Sequence, residues 1–166
     1  MEQNDLERIF MDAFDAYSDA IYRFCVYKVS TKERAEDFTQ EVFMRYWQAL
    51  RGGKEMTNTR AYLYTIAHNL AKDWYKKKKS VSLDARMESG FEPEDVRQGR
   101  AELFAQYREA TDALVGLEER DQEVLLLRFV EGLEPKEIAE VLGESANVVS
   151  VRINRAMKRL REHLHI

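Results

Sequence analysis

The chain has 166 residues, 45% hydrophobic and 34% charged, with a formal net charge of −4, enough apolar content for one mid-sized or two small packed domains and too much for a disordered tail. Its one cysteine, Cys25, excludes an intramolecular disulfide framework and fits a reducing compartment. No apolar run approaches the roughly 20 residues of a membrane span, and the acidic N-terminus is unlike a signal peptide, so a cytoplasmic protein without membrane insertion is expected.

Only two prolines and seven glycines occur, and apolar residues recur at spacings of three and four, which predicts an all-α fold. Leu6, Ile9, Phe10, Ala13, Phe14, Tyr17, Ile21, Phe24 and Cys25 share one side of a long helix or of two joined ones. Ser30-Thr31 offers a break and a new N-cap. Ala35, Phe38, Thr39, Val42, Phe43, Tyr46, Trp47 and Leu50 then repeat the pattern as far as Arg51-Gly52-Gly53. After a loop through Asn58, Leu63, Ile66, Ala67, Leu70 and Trp74 form the stripe of a third helix that runs into Lys76-Lys77-Lys78-Lys79. Between Ser80 and about Gly99 the periodicity disappears under Ser, Gly, Pro and acidic residues, the mark of a flexible linker. Twenty residues reach at most about 66 Å at roughly 3.3 Å each, so the halves need not touch. The second half has Leu103, Phe104, Tyr107, Thr111 and Leu114, then a helix around Val124, Leu125 and Phe129 that breaks at Gly132. Pro135 suits a first helical turn, Ile138, Ala139 and Leu142 give the stripe, and Gly143 a stop. A last helix starts near Ser145 or Asn147, with Val149, Ile153, Ala156, Leu160 and Leu164 inward. A short helix, a tight turn with Gly and a longer basic helix form a helix-turn-helix pattern. Two small helical domains are thus expected, 1–79 and 101–166, joined by a linker at 80–100.

Charge is unevenly placed. Residues 51–80 carry eight Lys and Arg against two acids and residues 146–166 five against one, while the rest of the chain is acidic. Two positive patches on an anionic body suit two places of contact with nucleic acid. On the last helix, Asn147, Ser150, Val151, Asn154, Arg155 and Lys158 lie away from the apolar stripe. Asn and Arg can bond base edges bidentately and Val151 can meet a thymine methyl, while Lys158, Arg159 and Arg161 suit phosphate. On the third helix Tyr62, Tyr64, Trp74 and Tyr75 interleave with His68, Asn69, Lys72 and the lysine run, a combination suited to unpaired strands; Trp74, on the stripe, is at least partly structural. Asp37, Gln40 and Glu41, continued by Met44 and Arg45, form an exposed acidic and amide face on the second helix, which is either solvated or a protein-docking surface. The histidines at 68, 163 and 165 lack partners at metal spacing, and no phosphate-cradling loop or nucleophile motif is present, so an enzyme is not expected.

The string from Ala35 to Phe43, followed by Tyr62 to Asp73 with its basic end, resembles region 2 of sigma-70-family transcription initiation factors. Leu117, the run from Gly132 to Gly143 and that from Ser150 to Arg161 resemble region 4 of the same family. With both in order and no further domain between them, the chain resembles the small extracytoplasmic-function (ECF) subgroup. The resemblance implies a sigma factor that binds core RNA polymerase, through the clamp and flap, and promoter DNA, double- and single-stranded. It implies no cofactor or metal, and an anti-sigma factor as a further partner. Asp37, Gln40, Glu41, Met44 and Arg45 would meet the clamp of the largest subunit. Lys54, Thr57, Asn58, Arg60, Tyr64, His68, Asn69, Lys72, Tyr75 and Lys76 would open and hold the −10 element, with a flipped base in the loop. Asn147, Ser150, Val151, Asn154, Arg155, Lys158 and Arg159 would read the −35 element, and Glu92, Glu94 and Asp95 in the linker would mimic nucleic acid in the polymerase channel. Ser150 stands where the family often has a basic residue, so weak duplex affinity of region 4 alone is expected. Glu134 stands where a Ser cap is common, and a carboxylate can cap there. A stand-alone helix-turn-helix regulator and a pure interaction module are the competing readings.

Overall fold

The computed structural model describes residues 2–29, 31–80 and 98–166, and for 79–80 and 98–104 the backbone alone. Every named element among these residues is helical. The chain divides into two compact units, Met1–Pro93 and Glu94–Ile166, each with its own core. The expected linker lies almost wholly outside the described residues, as do Glu92, Glu94 and Asp95.

In the first unit, helix α1 is continuous over Gln3–Val29, α2 covers Lys32–Arg51 and α3 covers Thr59–Ser80. Thr31 starts α2, its hydroxyl accepting the Arg34 N–H at 3.4 Å, and Asn58 starts α3, its Oδ1 accepting the Ala61 N–H at 3.0 Å. Such caps satisfy donors that a helix N-terminus leaves open. The three stripes meet in one core, where Ile21, Phe24, Val42, Tyr46, Leu63 and Tyr64 are all less than 2% exposed. At about 1.5–3 kcal/mol per buried large apolar side chain, this packing rather than helix propensity holds the unit together. Aromatic edges lock the α1–α2 contact: Phe14 meets Phe43 at 5.0 Å and Phe10 meets Trp47 at 5.4 Å between ring centres. Cys25 is buried beside Thr39, and loss of hydration pushes its thiol up to about 12, slightly offset by a hydrogen bond with Thr39.

In the second unit, α4 covers Gln98–Leu114, α5 Glu119–Leu125, α6 Pro135–Leu142 and α7 Ala146–Leu164. Helix α5 widens into a π turn at Leu126–Val130, where the Glu131 N–H donates to the Leu126 carbonyl at 2.9 Å across five residues. Counting four residues on from Leu125 puts Phe129 inside, but the widened turn buries Leu126 and Leu127 and leaves Phe129 59% exposed. Leu164 is likewise exposed rather than buried, because α7, about 28 Å long at 1.5 Å per residue, outruns the shorter helices packed on it.

The helix-turn-helix is α6, the turn and α7. Pro135 opens α6, and the Glu137 carboxylate accepts the Glu134 N–H at 2.8 Å. Gly143 closes α6 at φ +67°, ψ +35°, a left-handed conformation that side chains resist. Two residues later the Ser145 hydroxyl accepts the Val148 N–H at 3.1 Å and starts α7. Val149, Ile153 and Ala156 seat α7 on the core, which turns the residues between them outward. No described helix is long and apolar enough to cross a membrane.

Candidate nucleic-acid and docking interfaces

Asp37, Gln40, Glu41, Met44 and Arg45 recur at helical spacing, so α2 carries them together on the side opposite its core stripe. All are exposed except Glu41, which is half-buried. Arg45 Nε donates to Glu41 Oε1 at 2.9 Å, so part of the acidic charge is already answered. Asp37 and Gln40 remain open around an apolar spot, Met44, at 54% exposure.

Above α3 the loop after α2 and the ends of α1 and α2 enclose a cleft of about 770 Å³, lined by Leu6, Ile9, Tyr46, Leu50, Lys54 and Thr57 among others. Lys54 stands at its rim with Nζ 4.4 Å from the centre of the Tyr62 ring, an attractive placement of a cation on an aromatic face. Burial raises the Tyr46 hydroxyl above its ordinary range, and a hydrogen bond with Thr59 works against that shift. Thr57, Asn69, Lys72, Tyr75 and Lys76 are exposed, while Asn58, Arg60 and His68 are half-buried. Asn58 spends its side-chain oxygen on the helix cap. Tyr75 donates its hydroxyl to the Lys28 carbonyl of α1, which fixes the ring against the helix while one side stays in solvent.

Tyr64 does not belong to this surface. It is 1% exposed, with its ring edge-on to Phe24 at 5.2 Å. Its helical position puts it beside Leu63 and Ala67 in the core, where no base can stack on it. Trp74 is half-buried and edge-on to Phe38, with the Arg34 guanidinium 4.7 Å and the Lys78 amine 4.8 Å from its ring, so its faces serve α3's own packing.

On α7, Asn147, Val151, Asn154, Arg155, Lys158 and Arg159 are exposed and Ser150 half-buried, and helical spacing gathers them on one face. That face borders a cleft of about 400 Å³ whose opposite wall is Glu118, Arg120 and Asp121 at the start of α5. Arg159 is not a free cation: its Nη1 donates to Asp121 Oδ2 at 2.8 Å. This hydrogen bond and the attraction of the carboxylate raise the guanidinium further above its already high range. Arg152 likewise meets Glu144 at 2.8 Å. Val148, 48% exposed, and Arg152 line the same cleft, each three residues before a member of the row, Val151 and Arg155. Glu118, Arg120 and Asp121 had no such signal, since folding brings Asp121 to Arg159 across 38 positions. Among the described residues no group of three or more His, Cys, Asp or Glu is placed to hold a metal.

The arrangement thus offers a groove-sized polar helix face, a basic and aromatic surface beside a cleft, and a separate acidic and amide face. The family description of sigma-70 region 2 matches residues 13–81 and that of sigma-70 region 4 matches residues 107–160. The ECF RNA polymerase sigma factor SigW of Bacillus subtilis is 30% identical over 93% of this chain and 88% of its own length. SigX of the same organism is 26% identical over 97% and 86%. Among solved structures, the sigma factor RpoE in complex with the anti-sigma factor NepR from Bartonella quintana shares the fold, with a TM-score of 0.72 at 22% identity over 96% of this chain and 98% of that one. Both region matches in order, and a 30% identical relative aligned over nearly the whole chain, place it: the protein belongs to the sigma-70 family, as an ECF RNA polymerase sigma factor.

Proposed function

We propose that this sigma factor divides its work between the two units. The first grips core RNA polymerase and holds the opened −10 strand, and the second reads −35 duplex. The observation that carries the reading is the row Asn147, Val151, Asn154, Arg155 and Lys158, turned outward on a helix whose other side is anchored by Val149, Ile153 and Ala156. That row offers amides and a guanidinium for base edges, with Lys158 for phosphate. In the first unit Asp37, Gln40, Glu41, Met44 and Arg45 dock on the polymerase clamp, since an acidic and amide face repels phosphate but suits a protein. Lys54, Thr57, Asn58, Arg60, His68, Asn69, Lys72, Tyr75 and Lys76 follow the −10 strand, and the cleft beneath the loop takes an unstacked base.

Chemistry stays with the polymerase, and the protein acts in the cytoplasm without a cofactor. An anti-sigma factor is a natural partner, as it is for the RpoE neighbour. The test is core polymerase with and without the chain on a promoter library. Specific initiation should appear only with the chain, and its absence rejects the reading. Joint replacement of Asp37, Gln40 and Glu41 by Ala should abolish core binding with the helical signal unchanged, because none of the three is a core residue. Core binding at wild-type strength would remove the docking role from this face.

A further inference from the structure

Two of the five basic residues of α7 are answered inside the protein, but unequally. The Arg152 and Glu144 side chains are 21% and 29% exposed, so that pair is largely covered and fastens α7 to the turn before it. Arg159 is 53% exposed over an Asp121 that is 5% exposed. Its guanidinium sits where DNA phosphate can reach, at the edge of the cleft that Asn147, Val151 and Arg155 also line, and only its Nη1 bonds Asp121.

Phosphate contacts supply affinity without sequence information, whereas base-edge contacts supply discrimination. A carboxylate fixed beneath one phosphate-ready cation therefore subtracts from sequence-independent binding and leaves the base-reading row intact. We infer that Asp121 is a specificity-determining residue of the duplex-reading surface: it stands in for a DNA phosphate on Arg159 and keeps that cation out of non-specific binding. This rests on the reading of α7 as the duplex-reading helix. Arg155, Lys158 and Arg161 then remain as the cations of α7 that bind backbone or bases.

The test measures how affinity of the full chain depends on salt, by fluorescence anisotropy with a labelled mixed-sequence duplex and with a promoter duplex selected in the library experiment. Asp121→Asn keeps the side chain's shape and an oxygen for the Arg159 hydrogen bond while removing the charge. On the mixed duplex its log–log salt slope should steepen by about 0.9, so that it loses about 3.5-fold more affinity than wild type between about 50 and 200 mM salt. Its preference for the selected duplex should fall. Arg159→Gln tests the same point without touching α5 and should keep the wild-type slope. An unchanged slope in Asp121→Asn, or a slope shallower by about 0.9 in Arg159→Gln, would overturn the inference. Arg155→Gln separates this from failure of the underlying reading: if it leaves preference for the selected duplex intact, α7 is not the reading helix and the inference falls with it.

Discussion

Replacing Gly116 by Ala isolates the turn that aims α5 at α7. Gly116 has φ +102°, outside the regions open to side chains, and an added Cβ would lie 2.6 Å from Cε1 and 3.0 Å from Nε2 of His163. The two costs differ. His163 is exposed near the end of α7, so its ring can swing aside for about 0.5–1 kcal/mol, whereas the backbone strain, about 1–3 kcal/mol, has no such outlet. For a unit of this size about 2 kcal/mol lowers Tm by roughly 8–16 °C. Both tryptophans, Trp47 and Trp74, lie in the first unit. Thermal unfolding of the full chain should therefore show an earlier loss of far-ultraviolet circular dichroism with an unshifted tryptophan transition. Adding His163→Ala should recover only the smaller part. A Gly116→Ala protein within about 0.5 kcal/mol of wild type, or one fully rescued by His163→Ala, would refute the assignment of the cost to backbone strain. Because the Leu117 carbonyl accepts from the Gln122 side chain at 2.8 Å, the same turn sets the start of α5, and the variant should also weaken duplex binding.

Tyr64→Ala should cost the first unit about 3–5 kcal/mol, in line with other buried aromatic truncations, read as a shift of the tryptophan transition. Tyr64→Phe should bind a −10 single strand within polymerase holoenzyme like wild type, and a tenfold loss in a folded Tyr64→Phe protein would return the ring to the DNA surface. Cys25 gives a pH signature. The unfolded thiol ionises near 9.0 while the buried one is pushed up to about 12, so the folded state binds the proton more tightly in that window. Its contribution is complete below pH 9 and declines as pH rises through the window, by up to about 1.4 kcal/mol per unit. Urea unfolding at several pH values, compared with Cys25→Ala, should show this part of the slope vanish in the variant; equal slopes would contradict it.

The helices were legible because their stripes are long. Helices α1 through α3 each carry five or more apolar residues at helical spacing, and Thr31 and Ser145 mark the starts of α2 and α7. The acidic and amide face on α2 and the polar row on α7 could be read in the same way, as what a stripe leaves outside. Three things escaped. Tyr64 reads as a platform because Arg60 and His68 lie one helical turn away on either side, while its burial is decided by Phe24, forty residues away. The Asp121–Arg159 pair is non-local, so no spacing rule reaches it. The exposure of Phe129 escapes a periodicity of 3.6, which assumes an unbroken α-helix, and nothing in the run Leu125-Leu126-Leu127-Arg128-Phe129 marks where it widens.

That widened turn gives the second unit a tolerance that the described helices of the first, all α-helical, lack. A π turn holds one residue more than the α turn it replaces, so it can absorb the loss of a single residue by tightening. Removing one position between Leu126 and Val130 should return the segment to α geometry with Val124 and Leu133, both fully buried, still anchored on either side. A comparable deletion within α2 would rotate Tyr46 and Leu50 away from the core. A change in chain length is therefore easiest to accommodate at this turn, upstream of α7 and without disturbing its register.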